Sequence, residues 1–201
     1  MKGAPRGFSL LEMVVYIALM GIVSMLLGPQ LIHVWRLTAR LQLREDAHQM
    51  LNIALQRMIL DLHQSRAEGV SLRSDPQILG INRLLKVQDD GLIIWAKDYI
   101  LYYVEQDRLI RLHWPDGAPV ATSEETDTSL AKLLNPDRML EIRNNAAPAR
   151  TEILARKVLE FRTDPNQRET GLVLPLQLYL KLGPVDSATD QVSSRRSVML
   201  R

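Results

Sequence analysis

Among the side chains able to do chemistry, the histidines are the simplest to place. His33, His48, His63 and His113 are the chain's four, and the first three recur every 15 residues. That interval scatters them along a helix and does not gather them on one ion. No H-x-x-x-H or H-x-x-E pair occurs, so they read as solvent-facing or hydrogen-bonded histidines, not as a metal centre. Acidic pairs stand at Asp89-Asp90, Glu124-Glu125 and Asp186 with Asp190. Their oxygens suit calcium, but EF-hand spacing is missing and solvated turns are the plainer reading, so no cofactor is expected. The absence of cysteine excludes disulfide frameworks, thiol nucleophiles and Cys-based zinc sites. No Gly-rich phosphate loop and no G-x-S-x-G appears. No catalytic constellation emerges, and an enzyme is not expected. One charge remains to be explained: Glu12, inside a long apolar run.

That run governs the organisation of the chain. The 201 residues are 46% hydrophobic and 24% charged, an ordinary globular mixture that argues against disorder. There are 25 basic and 23 acidic side chains; setting aside Lys2 and Arg6 leaves 23 of each sign. Such balance disfavours a dedicated nucleic-acid binder. The charges are unevenly spread. From Phe8 to Trp35 the only acidic or basic residue besides His33 is Glu12, and Met13–Leu27 is almost wholly apolar. Phe8 to Ile32 would make a helix of roughly 37 Å, enough for a bilayer core that needs about 20 residues.

A cleaved secretory signal would be shorter and would end in a small-residue site, which Leu-Leu-Gly-Pro does not supply. A simple signal anchor accounts for the length but not for Glu12, since a charge in the bilayer costs about 2.5–3.5 kcal/mol on insertion scales. Glu12 also has a plain explanation. It lies close to the start of the run, where it would sit near the headgroups and the positive end of a helix.

Lys2-Gly3-Ala4-Pro5-Arg6-Gly7, followed at once by Phe8-Ser9-Leu10-Leu11-Glu12, closely resembles the processing site of type IV prepilins and type II secretion prepseudopilins. The family signature is a basic leader ending in Gly, then Phe, then Glu at the fifth mature position, then an unbroken apolar stretch. The resemblance implies cleavage between Gly7 and Phe8 by a prepilin peptidase, N-methylation of Phe8, and a role for Glu12 in assembly. It also implies a helix bend at Gly28 and Pro29, where proline removes a helical hydrogen bond. Gly7 would let the scissile backbone extend without a side chain in the way. Lys2 and Arg6 would hold the leader in the cytoplasm. Arg36, Arg40 and Arg44 follow the span closely, so orientation rests on the resemblance and not on the charge rule.

Downstream, Leu37, Leu41, Ala47, Leu51, Ala54, Met58 and Leu62 recur at spacings of mostly three and four, with Arg44, Glu45, Gln49, Asn52, Gln56 and Asp61 on much of the other face. This predicts an amphipathic helix continuing to about residue 66, with Gly69 as its stop. From Gly91 the period shortens. Leu92–Ala96, Tyr99–Glu105 and Arg108–His113 read as an antiparallel meander entered through the Asp89-Asp90-Gly91 turn. Met139–Arg143, Val158–Arg162, Leu172–Leu182 and Ser197–Leu200 are further strand candidates, and Pro175 places its strand at an edge or at a strand start. Pro115–Pro119, Ala121–Thr128 and Asn144–Ala149 read as loops.

The expected fold is therefore α+β: a leader over 1–7, an apolar helix over 8–36, and a globular domain over 37–201 in which helix gives way to antiparallel sheet. This is also the pilin-like architecture. Leu92-Ile93-Ile94-Trp95, Tyr102-Tyr103-Val104 and Arg108-Leu109-Ile110-Arg111 resemble blocks of J-type minor pseudopilins. So do Leu159-Glu160-Phe161-Arg162, Leu174-Pro175-Leu176-Gln177-Leu178, and the helix end from Leu55 to Arg66. PilW-type minor pilins share similar blocks; the lack of cysteine inclines toward the pseudopilin side. The resemblance implies a single-pass inner-membrane protein with a periplasmic domain. Its partners would be the prepilin peptidase/methyltransferase, other minor pseudopilins or pilins and the inner-membrane assembly platform, not nucleic acid. A signal-anchored periplasmic enzyme or sensor is the contrasting reading, which an uncleaved Gly7 would favour.

Overall fold

The computed structural model of the protein describes residues 9–87, 89, 93–114, 134–145, 150–163, 175–184 and 190–200. The first element, α1, is a 54-residue helix, Leu10–His63. The chain forms two compact units, Met1–Leu43 and Arg44–Arg201.

Within the first unit α1 carries the apolar run. Pro29 lies inside the helix, where it has no N–H to give to the carbonyl of Met25. In the second unit α1 becomes one-sided. Leu51, Ala54, Leu55, Met58, Asp61 and Leu62 are buried, at the three-and-four spacing that sets one face of a helix against a core. Leu37 and Leu41, expected on that stripe, are exposed, and Asp61, expected on the polar face, is buried. The helix closes with i to i+3 bonds: Gln64 N–H donates to the Asp61 carbonyl and Ser65 N–H to that of Leu62. A 3₁₀ turn, Ala67–Gly69, then leads into the sheet.

Five strands follow as a sequential antiparallel meander: β1 (Val70–Ser74), β2 (Gln77–Val87), β3 (Ile93–Glu105), β4 (Arg108–Trp114) and β5 (Arg150–Arg156). Helix α2 (Pro136–Asn144) interrupts the sequence between β4 and β5. The β3–β4 hairpin pairs Glu105 with Arg108. Gln106 and Asp107 both have positive φ, 47° and 60°, as the two-residue type I′ connection demands. A second sheet contains β6 (Val158–Thr163), β7 (Leu176–Leu182) and β8 (Val192–Val198), with β7 in the middle.

Two cores lie on opposite faces of the five-stranded sheet. Leu79, Ile81, Ile100, Tyr102 and Leu109 face the second half of α1 and the inner side of the small sheet, Leu176, Leu178, Leu180 and Leu182. The alternate residues Ile78, Tyr99, Leu101, Tyr103 and Leu112 face Leu134 and the α2 residues Met139 and Ile142. Because β3 is covered on both sides, its Tyr99–Val104 run is nearly continuous in apolar and aromatic residues instead of alternating.

The α+β, pilin-like arrangement expected from the sequence is the one observed, with several local corrections. Met139–Arg143 is not a strand but the body of α2. Asn135 caps this helix, its side-chain oxygen accepting from Asp137 N–H, and Pro136 follows at the first helical position. The Lys97-Asp98 break does not exist, since Ile93–Glu105 is one strand. Strands β1, β2 and β5 were not anticipated, and β8 begins earlier than Ser197. Pro175 does precede a strand start, but that strand is central, not an edge. Gly69 does not stop α1, which ends at His63. A Cβ at Gly69 would lie 2.4 Å from Ser65 Oγ, 2.4 Å from the Trp95 ring and 2.8 Å from the Asn82 carbonyl oxygen, so this position needs glycine for close approach. The proposed loops at Pro115–Pro119 and Ala121–Thr128 lie outside the described residues, as do Leu92 and Leu172–Leu174. Asn144 ends α2 and Asn145 forms a turn.

Candidate processing and assembly site

The start of α1 is built by two side chains. Ser9 precedes the first helical residue, and its Oγ accepts from Glu12 N–H at 3.2 Å. Glu12 reciprocates: its Oε2 accepts from Ser9 N–H at 3.2 Å. This is a capping box, in which residues three apart satisfy each other's otherwise unpartnered amides. Glu12 also places negative charge against the positive end of the helix. Its position in the apolar run therefore has a local cause in the structure, in addition to any role in assembly.

Beyond this cap the helix presents apolar side chains on every face. Leu10 is 83% exposed, Met25 82% and Trp35 78%. Each such residue forgoes roughly 1.5–3 kcal/mol of burial when left in water. The segment is long and apolar enough to cross a membrane, with a mean hydropathy of 2.3 over its most apolar 18 residues. A Cβ added at Gly21 or Gly28 would meet nothing within 4 Å. These positions are smooth patches on an uncovered surface, the kind that lets helices approach closely in lipid.

The globular unit holds a buried polar junction between α1 and β3–β4. Asp61 accepts from Tyr102 Oη and from Arg111, whose Nε lies 2.7 Å from Oδ2 and whose terminal nitrogen lies 3.3 Å from Oδ1. Burial, then the neighbouring Asp61 charge and its hydrogen bond, push the Tyr102 pKa well above the usual phenol range, with Arg111 opposing. Burial alone would lower the Arg111 pKa, but the Asp61 hydrogen bond and charge prevail and hold it above its ordinary value. A second junction centres on Asp98, whose Oδ2 pairs with Arg83 and lies 2.6 Å from His113 Nε2. On the opposite face, Arg143 stacks 5.1 Å from the Tyr103 ring centre and pairs with Glu105 at 3.3 Å.

Of the residues singled out from sequence, Glu12 sits at the helix start, and Gly28 and Pro29 lie within α1. Gly7 and Phe8 lie outside the described residues. So do Asp90, Glu124, Glu125 and Asp186 of the calcium candidates, while Asp89 and Asp190 are described. Among the described residues no three His, Asp or Glu side chains are grouped to hold a metal. Sequence reasoning missed Ser9, although the S-x-x-E spacing ahead of an apolar run was a usable signal. It also missed the Asp61–Tyr102–Arg111 junction, for which no local signal existed.

Comparison with known proteins adds one match. The prokaryotic N-terminal methylation motif matches residues 4–28, which take in Ala4–Gly7, the Gly7-Phe8 bond, Glu12 and the apolar helix as far as Gly28. No curated protein and no solved structure matches the chain. The motif supports a type IV prepilin-like protein, and the apolar helix is consistent with membrane anchoring.

Proposed function

We propose that this protein is a minor pseudopilin of the J type, an inner-membrane subunit that joins a type II secretion pseudopilus. The observation that carries the reading is the methylation motif over residues 4–28 running into α1, whose apolar side chains from Leu10 to Leu43 are exposed. In this reading a prepilin peptidase cuts between Gly7 and Phe8 and methylates the new Phe8 amine. The apolar half of α1 waits in the bilayer and is then drawn into a bundle of like helices. Lipid contact is exchanged for helix packing, with Gly21 and Gly28 permitting close approach. The globular unit, in the periplasm, presents its flanks to other minor subunits. The assembly platform of the inner membrane drives the extraction. A minor type IV pilin of the W type uses the same parts; the lack of cysteine favours the pseudopilin.

Coexpression with a prepilin peptidase tests this. The chain should lose seven residues and carry a methylated Phe8 by mass spectrometry, and Gly7→Val should block both. An intact chain that still assembles would overturn the prepilin reading. Secretion genes beside this one, as against pilus genes, would separate the J-type from the W-type assignment.

A further inference from the structure

We infer that Arg36 and Arg40, the first two of three arginines spaced by four, form a clamp for anionic phospholipid headgroups at the end of the membrane segment. The inference rests on the membrane-anchored reading above. The three arginines follow one another at intervals of four in the sequence. In a helix this keeps them within a sector of about 80° and sets them about 6 Å apart along the axis. Arg36 and Arg40 are exposed within α1. No acidic residue stands at three or four positions from any of the three, and none occurs between Glu12 and Glu45. The pairs that normally neutralise helical arginines are therefore excluded by sequence. Among the described residues none of the three makes an ion pair.

Continuity with the apolar run points to the occupant. With Glu12 at one headgroup layer, a bilayer core of about 30 Å ends some 20 residues later, near Ile32. Trp35, 78% exposed, then falls at the interface that tryptophan favours. Arg36, about 6 Å beyond Ile32, falls at the depth of the lipid phosphates, and the long side chain of Arg40, one turn further out, can reach back to them. Guanidinium groups there pair with phosphate in two-pronged geometry, and juxtamembrane cations are drawn to anionic leaflets. Such a clamp would hold the subunit at a fixed depth until extraction breaks it.

The full chain reconstituted in phosphatidylcholine vesicles, with trace spin-labelled phosphatidylglycerol or spin-labelled phosphatidylcholine, tests the clamp. The fraction of each lipid whose motion the protein restricts gives their relative affinity. At low salt the wild type should prefer the glycerol lipid, by about fivefold for each engaged arginine, and the preference should shrink in high salt. Arg36→Gln/Arg40→Gln should restrict both lipids equally. Equal restriction by the inserted wild type, or a preference that survives in the double variant, would overturn the clamp. Failure of the wild type to restrict either lipid would instead overturn the membrane anchor on which the clamp depends.

Discussion

Asp61 on α1 and Arg111 on β4 meet across the seam between helix and sheet, in two hydrogen bonds of 2.7 and 3.3 Å. Their side chains are 3% and 13% exposed, and Tyr102 donates to the same carboxylate. The surrounding contacts are leucine, alanine and methionine packing from α1 onto the sheets. An apolar ridge of that kind tolerates sliding by a turn, because one leucine contact resembles the next. The buried ion pair does not: a one-turn slip would leave both charges unpaired in low dielectric. Asp61 and Arg111 are thus expected to set the register of the helix on the sheet.

Removing one partner should therefore cost more than removing both. In the chain from residue 37 onward, Asp61→Ala should destabilise by about 3–5 kcal/mol in urea unfolding. Tyr102→Phe should cost about 1.5–3 kcal/mol, as for a hydrogen bond to a charged group. Asp61→Leu/Arg111→Met/Tyr102→Phe, which also removes the hydroxyl that would lose its acceptor, should recover most of the Asp61→Ala loss, since apolar replacement of a buried pair is often neutral. A loss under 1 kcal/mol for Asp61→Ala would show that helix register rests on the leucines alone.

The same junction predicts an alkaline limit. The Tyr102 pKa is raised by burial and by Asp61, and that of Tyr103 by burial and by Glu105 against the opposing Arg143. In the unfolded chain both phenols lose protons near pH 10. Above that pH the unfolded state binds fewer protons, so stability falls as pH rises and is fully present below it. Tyr102→Phe should flatten this alkaline limb. In the wild type, the phenolate absorbance of Tyr102 should appear only as the chain unfolds. A phenolate signal at pH 10 with one fewer titrating tyrosine in Tyr102→Phe, while the fold persists, would contradict it.

How much of this was legible in the sequence depends on the range of the forces involved. The apolar length of the first half of α1, the spacing of its buried stripe from Leu51 to Leu62, and the β-branched and aromatic content of the strands around Tyr102 and Arg111 are local signals. Met139–Arg143 misled because five residues cannot distinguish the two periods, while the cap Asn135-Pro136 stood just upstream. Lys97-Asp98 looked like a turn because polar residues usually leave the sheet; here Arg83 and His113 satisfy Asp98 inside it. Strand β2 was obscured by register shifts between Asn82 and Lys86, which break the two-residue alternation. Asp61 could not be read at all. Its burial depends on Tyr102 and Arg111, 41 and 50 residues away.

Two glycines make opposite predictions. Gly69→Ala should destabilise the globular domain, because its Cβ would overlap Ser65, Trp95 and the Asn82 carbonyl. The backbone oxygen cannot rotate away, so a drop of several degrees in melting temperature is expected. Gly28→Ala meets nothing in the isolated chain and should leave its melting unchanged. In the assembled bundle it should weaken incorporation, measured by cross-linking to partner subunits. Wild-type incorporation of Gly28→Ala would remove close helix approach at this position.

Glu12 has two uses for one carboxylate, and three variants separate them. In the chain itself it closes the cap with Ser9. After cleavage, the methylated Phe8 amine would be a cation. In a bundle the Glu12 carboxylate could pair with such an amine on an adjacent subunit, offsetting the desolvation of both and fixing one axial stagger. Ser9→Ala removes the serine half of the cap, at about 0.5–2 kcal/mol, and leaves the charge. Glu12→Gln keeps the cap, since glutamine serves as well in a capping box, and removes the charge. Glu12→Leu removes both. All three should insert in the membrane and lose the leader on coexpression with the peptidase. Ser9→Ala should then co-purify with partner subunits nearly as well as the wild type, whereas Glu12→Gln and Glu12→Leu should both be poorly incorporated. The opposite pattern is equally readable: Glu12→Gln at wild-type levels, with Ser9→Ala and Glu12→Leu both failing, would make Glu12 a helix-start residue and nothing more.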